Sequence, residues 1–133
     1  MKTLKSSKGF TLIEIIAVLV ILGILAAVAV PKYIDMAAES KKAAAKGQVA
    51  EMKSTLNLAY AKYLLSNNGT AASTGQLVIT EAGFTSGSAA DVGVAPDKWN
   101  VTLTGASKAV TISVNSRDSD TGYNATGTWN IPQ

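Results

Sequence analysis

Glu14 is the residue whose position most demands a chemical reason. It is the one charged side chain between Gly9 and Lys32. The surrounding run, Phe10 to Val30, is apolar apart from Thr11 and Glu14. A carboxylate in hydrocarbon is expensive, and a membrane anchor alone has no use for it. Acids persist in such surroundings where they meet a partner charge. Scission of the chain after Gly9 would supply one. It would leave a new α-amino group on Phe10, about one helical turn from Glu14, on the same chain or on a second copy.

Other chemistry is sparse. The sequence has no histidine and no cysteine, which excludes disulfides, Cys/His metal sites, thiol nucleophiles and imidazole bases. The carboxylates are scattered, no nucleophile–base set can be assembled, and the reading is not an enzyme. Asn115 to Gly122 alternates oxygen-bearing side chains and ends in glycine, a pattern that suits a hard cation. Asp118 and Asp120 are its calcium candidates. Two carboxylates are few, however, and a solvated turn accounts for the same residues. Otherwise no metal or cofactor is expected. Tyr33, Tyr60 and Tyr63 recur along a helical stretch, where packing explains them without an electron-carrying role. Asn68-Gly69-Thr70 and Asn124-Ala125-Thr126 match the glycosylation sequon, which is short enough to arise by chance.

The elements that must position Glu14 follow from periodicity. As a helix, Phe10 to Val30 would span roughly 31 Å, close to the hydrocarbon thickness of a bilayer. A domain this small has too little chain to surround a helix that is apolar on every face. Twelve basic side chains stand against nine acidic ones, a formal net charge of +3. Lys2, Lys5 and Lys8 precede the apolar run, and the remainder is balanced. Net charge therefore points to no nucleic-acid partner. The same three lysines place the N-terminus on the cytoplasmic side. Gly23 and Ala27 form a small-xxx-small pair that permits close helix approach. Pro31 removes a backbone donor and should kink or loosen the helix.

Beyond Pro31 the helical pattern resumes. Ile34, Ala38, Ala45, Val49, Met52, Leu56, Tyr60 and Tyr63 make one apolar stripe, with a gap around Lys41. Asn67-Asn68-Gly69 should stop the helix near Ser66. From Phe10 to Ser66 that is roughly 85 Å of helix, a length natural to a filament subunit. The C-terminal half is different. Ser66 to Gly75 and Ala82 to Lys98 read as loops, and Gln76 to Thr80 as a short strand. Trp99 to Leu103 and Val110 to Val114 alternate apolar and polar and predict a hairpin; Gly127 to Ile131 alternates again. The predicted fold class is α+β. A long N-terminal helix, one half membrane-spanning and one half amphipathic, packs against a small antiparallel sheet. Trp99, Val101, Leu103, Val110, Ile112, Val114, Trp129 and Ile131 should face the stripe. The segments are 1–9, 10–31, 32–66 and 67–133.

Lys8-Gly9-Phe10-Thr11-Leu12-Ile13-Glu14, the apolar run behind it and Pro31 resemble the class III signal sequence of type IV prepilins and type II secretion pseudopilins. The resemblance covers about the first forty residues. It implies residues 1–9 as a leader, cut between Gly9 and Phe10 by a membrane-embedded aspartyl prepilin peptidase that also N-methylates Phe10. It implies that Glu14 sets the register of each subunit on a growing filament. Gly23 and Ala27 then belong to helix packing in that filament. The implied partners are other copies of the chain, the peptidase, the inner-membrane assembly platform, and the membrane before assembly. The mature product is then an extracellular pilus or a periplasmic pseudopilus. Many type IV pilins close their C-terminal region with a cysteine pair; this chain has none, which leaves room for a major pseudopilin. A different class also fits some features: a secreted binding domain with residues 1–29 as an ordinary signal peptide ending in Ala27-Val28-Ala29. Glu14 within the apolar run argues against it.

Overall fold

The computed structural model describes residues 9–133. The leader residues Lys2, Lys5 and Lys8 lie outside them. The elements run α1 (Leu12–Ser66), α2 (Gly75–Glu81), β1 (Ala89–Val92), β2 (Trp99–Ala106), β3 (Ala109–Arg117) and β4 (Ala125–Asn130). This is the expected α+β class. The chain divides into two compact units, one ending at Ala37 and the other comprising Ala38–Gln133. Both contain part of α1.

In the first unit α1 is apolar on every side and buried on none. Leu12, Ile16, Leu19, Leu22, Leu25 and Val28 are all exposed. The helix is long and apolar enough to cross a membrane. Helical hydrogen bonding satisfies its backbone internally, as a hydrocarbon surrounding requires.

The second unit is a helix-on-sheet core. The sheet is fully antiparallel, in the order β1-β2-β3-β4. Its alternation places Val101, Leu103, Val110, Ile112, Val114 and Trp129 on one face. These pack with Ala45, Val49, Met52, Leu56, Ala59 and Tyr60 of α1, and with Ile131. Apart from Ala59, both sets are ones the periodicities predict, because each element can dry one face only against the other. Four expected members differ. Tyr63 is only half-buried against the core. Trp99 is only half-buried, at the margin of the core, with its ring edge-on to Tyr123. Ile34 and Ala38 are exposed. The buried stripe begins at Ala45, after the gap at Lys41.

The end of α1 falls at Ser66, as the stop signal predicts. Asn68 takes the left-handed conformation (φ 51°) and the Gly69 amide donates to the Leu64 carbonyl at 2.8 Å. That bond from the second residue past the cap to the last turn is the signature of a Schellman ending. Asn67 adds a side-chain bond to the Tyr63 carbonyl.

Two segments correct the sequence reading. Gln76–Thr80 is not a strand but part of α2, although its β-branched residues favour extension. Burial overrides that preference: Val78 and Ile79 are fully buried and Ala82 lies against the same core. The Ala82–Lys98 stretch is not all loop, because Ala89–Val92 pairs with Thr102–Trp99 of β2. Its small residues show no alternation of their own, and the edge of β2 supplies the order.

Strand β4 is tied to the helix by Trp129, whose Nε1 donates to Asn57 Oδ1 at 2.7 Å. Tyr60 stacks edge-on against the same indole and donates to the Pro132 carbonyl. Asn57→Ala strands that N–H and should cost about 1–2 kcal/mol. Asn57→Asp keeps an acceptor and should cost less. Thermal unfolding of the full chain in detergent checks the order of the two.

Candidate functional site

The residues singled out at the N-terminus meet at the start of α1. Gly9 and Phe10 precede the helix and are exposed, Phe10 by 85%. The Gly9–Phe10 peptide thus lies in non-helical chain, the form in which a peptidase can bind a backbone.

Glu14 is not a free carboxylate. Its Oε2 accepts from the Thr11 amide at 2.8 Å and from the Thr11 hydroxyl at 2.7 Å. The Glu14 amide in turn donates to Thr11 Oγ1 at 3.4 Å. Thr11 is the N-cap and Glu14 the third helical residue, so the pair is a reciprocal capping box. It satisfies first-turn amides that have no partner within the helix. Thr11 is a site residue that the reading from charge alone passes over. The signal was present as Thr-x-x-Glu before an apolar run.

Gly23 and Ala27 stand in open space. A Cβ at Gly23 would meet nothing within 4 Å, and Ala27 is exposed. The surface they would offer to another helix is therefore accessible. Pro31 lies inside α1, whose helical assignment runs on either side of it.

The calcium candidates are engaged by protein donors. Asp120 Oδ2 is 2.6 Å from Lys41 Nζ, and its Oδ1 accepts from the Gly122 amide. Asp118 Oδ1 accepts from the Lys98 amide. A cation would have to displace Lys41. Among the described residues, no group of three or more His, Cys, Asp or Glu side chains could hold a metal. Tyr60 and Tyr63 pack in or against the core, whereas Tyr33 is exposed. Both sequon asparagines, Asn68 and Asn124, are exposed.

Comparison with known proteins bears on the same segment. The family model described as the prokaryotic N-terminal methylation motif matches residues 4–30, which contain Gly9, Phe10, Thr11, Glu14, Gly23 and Ala27. The chain carries an N-terminal methylation motif. A fimbrial protein of Pseudomonas aeruginosa is 46% identical over 50 residues, 38% of this chain and 32% of that protein. The type IV narrow pilus major component of Thermus thermophilus is 42% identical over 53 residues, 40% of this chain and 46% of its own. The type II secretion system core protein G of Pseudomonas aeruginosa is 43% identical over 54 residues, 41% of this chain and 38% of its own. In each case the match spans less than half of the relative. No solved structure matches the chain. The methylation motif and the capping box share Thr11 and Glu14, so the segment that the family model describes is the one whose geometry is most specific.

Proposed function

We propose that this chain is the structural subunit of a type IV pilus-like filament. It is inserted in the bacterial inner membrane as a prepilin, cleaved after Gly9, methylated on Phe10, and polymerised through α1. One observation carries the reading: a methylation motif runs directly into the stretch Leu12–Val30 of α1, which is apolar apart from Glu14 and exposed throughout among the described residues. Such a surface needs lipid before assembly and other copies of itself afterwards. Lys2, Lys5 and Lys8 keep the leader cytoplasmic, where prepilin peptidase and the assembly platform would meet it. The second unit would then face the periplasm and become the filament surface.

The expected mature product begins at methylated Phe10. Mass spectrometry of the N-terminal peptide from purified filaments reads this directly. A mature N-terminus at Val30 would show an ordinary signal peptide and sink the proposal.

A second reading, the major pseudopilin of a type II secretion system, is favoured by the secretion-system relative and by the lack of cysteine. Deletion of the gene distinguishes the two. A pilin loses surface filaments and keeps exoprotein release. A pseudopilin does the reverse.

A further inference from the structure

The turn between β3 and β4 is held from outside. Asp118 and Ser119 both adopt positive φ, 45° and 72°, a region that side chains other than glycine seldom enter. The turn is anchored at three points. Lys41 of α1 reaches Asp120. The Asp118 amide donates to the Lys98 carbonyl at 2.9 Å, and Asp118 Oδ1 accepts from the Lys98 amide. Arg117, the last residue of β3, pairs with Asp97.

Aromatic rings fill the space between these charges. Trp99 and Tyr123 meet edge to face at 5.7 Å. The Arg117 guanidinium lies 5.4 Å from the Trp99 ring and 5.5 Å from the Tyr123 ring. Lys41 lies 5.4 Å from the Tyr123 ring. Lys41 therefore holds both the carboxylate and the ring of one turn. It also sits at the gap in the apolar stripe, before the first buried helix residue, Ala45. The sheet's hydrophobic hold on α1 ends there.

We propose that Lys41, Asp120, Tyr123 and Arg117 form a charge-operated clasp. When closed, it pins the Asp118–Tyr123 turn to α1 and shields the Trp99–Tyr123 pair. When opened by ionic strength, or by strongly acidic or strongly alkaline pH, it lets the turn swing away while the rest of the sheet stays folded. All its charges are at least partly exposed, so screening reaches them. The core strands have no such dependence.

The sign of the pH effect follows from the groups present. The Lys41 hydrogen bond, and then the Gly122 amide, hold the Asp120 carboxyl below its usual range. The clasp is thus present above the ordinary aspartate pKa and lost as pH falls through the lowered one. The hydrogen bond to Asp120 raises Lys41 above its usual range. That contribution is present below the ordinary lysine pKa and lost as pH rises through the raised one. Besides the clasp members Arg117 and Tyr123, the charged groups around the turn are Asp97, Lys98, Asp118 and Asp91, the last paired with Lys98. The clasp is closed between the two limits.

Hydrogen exchange of the full chain in detergent micelles tests this, with peptides covering the turn and, as control, β2–β3. Lys41→Met keeps the aliphatic stem and leaves the Asp120–Gly122 bond in place. It should speed exchange in the turn by about 3- to 10-fold, the scale of an exposed ion pair with a cation–π contact, and leave β2–β3 unchanged. Lys41→Arg should restore protection. Salt at about 1 M, where the Debye length is about 3 Å, should bring the wild type toward the level of Lys41→Met and change that variant less, since it retains the Arg117–Asp97 pair but not Lys41–Asp120. Unchanged turn exchange in Lys41→Met, or equal salt sensitivity in both proteins, would overturn the proposal. Should Lys41→Met unfold the sheet as well, the wild-type salt series decides alone, and a turn indifferent to salt refutes the clasp.

Discussion

If the chain assembles as proposed, Glu14→Ala will leave the precursor inserted and cleaved but cut filament yield by about tenfold or more, the effect expected of removing one member of a charge pair in an apolar seam. The argument starts from the helix surface. In the first unit α1 presents Ile, Leu, Val and Ala on every side, so neighbouring copies in the proposed filament would attract each other at many rotations and offsets. Apolar contact supplies cohesion without register. A single polar group in an apolar seam penalises each misaligned arrangement, because only one leaves it paired. Within one chain the carboxylate is held by Thr11. In the proposed filament its better partner would be the α-amino group that cleavage after Gly9 would create on Phe10 of a neighbour, and assembly would exchange one set of bonds for the other.

Two further variants separate the roles. Glu14→Gln retains an oxygen acceptor for the Thr11 amide but carries no charge. Thr11→Val removes the hydroxyl and keeps the carboxylate. If charge pairing sets the register, Glu14→Gln should fail nearly as badly as Glu14→Ala, and Thr11→Val should lose much less. Sheared-filament yield, normalised to cleaved subunit in the membrane, gives the comparison. Wild-type yield from Glu14→Gln would reduce Glu14 to a helix cap.

How much of this was legible depends on what enforces each feature. The strands β2 and β3 could be read because Val101, Leu103, Val110, Ile112 and Val114 must share one dry face, which fixes a period of two. The register of α1 from Ala45 to Tyr60 follows for the same reason. Helix α2 was not legible. Leu77-Val78-Ile79-Thr80 favours a strand locally, and its helical form depends on a packing surface made by the hairpin that follows it in sequence. Strand β1 was hidden because Ala89-Ala90-Asp91 carries no pattern, and β2 gives it one. The Lys41–Asp120 pair joins residues 79 positions apart, and no local pattern announces such a contact. At the N-terminus charge alone drew attention past Thr11 to Glu14, and the structure shows the two as one capping box. For Gly23 and Ala27, any packing partner lies on another chain, so one chain shows only their accessibility.

The second large effect is expected in the fold, at Gly105. Helix α2 approaches the β2–β3 hairpin backbone to backbone. A Cβ at Gly105 would lie 2.5 Å from the Gln76 nitrogen, 2.7 Å from its Cα and 2.8 Å from the Gly75 carbonyl carbon. From the other side, a Cβ at Gly75 would lie 2.4 Å from the Ala109 carbonyl oxygen. These obstacles are main chain on both sides, so no rotamer change relieves them. The Gly75 amide also donates to the Ser107 carbonyl at 2.8 Å, which fixes α2 over the turn of the hairpin. Gly105→Ala must therefore push α2 outward, and with it the fully buried Val78 and Ile79. Overpacking of this kind costs about 1–3 kcal/mol, and the main-chain contacts place the variant at the upper end. For a unit of this size that lowers the melting temperature by roughly 10 °C or more. Gly75→Ala should act alike. The double variant should cost less than the sum, because either change alone already lifts α2 from the same surface. Thermal unfolding of the full chain in detergent, followed by near-UV circular dichroism, measures all three. A Gly105→Ala melting temperature within about 2 °C of the wild type would mean that α2 is not seated on the hairpin in solution. The N-terminal motif would be untouched by that result, since the proposed processing and Glu14 pairing involve residues of the other unit.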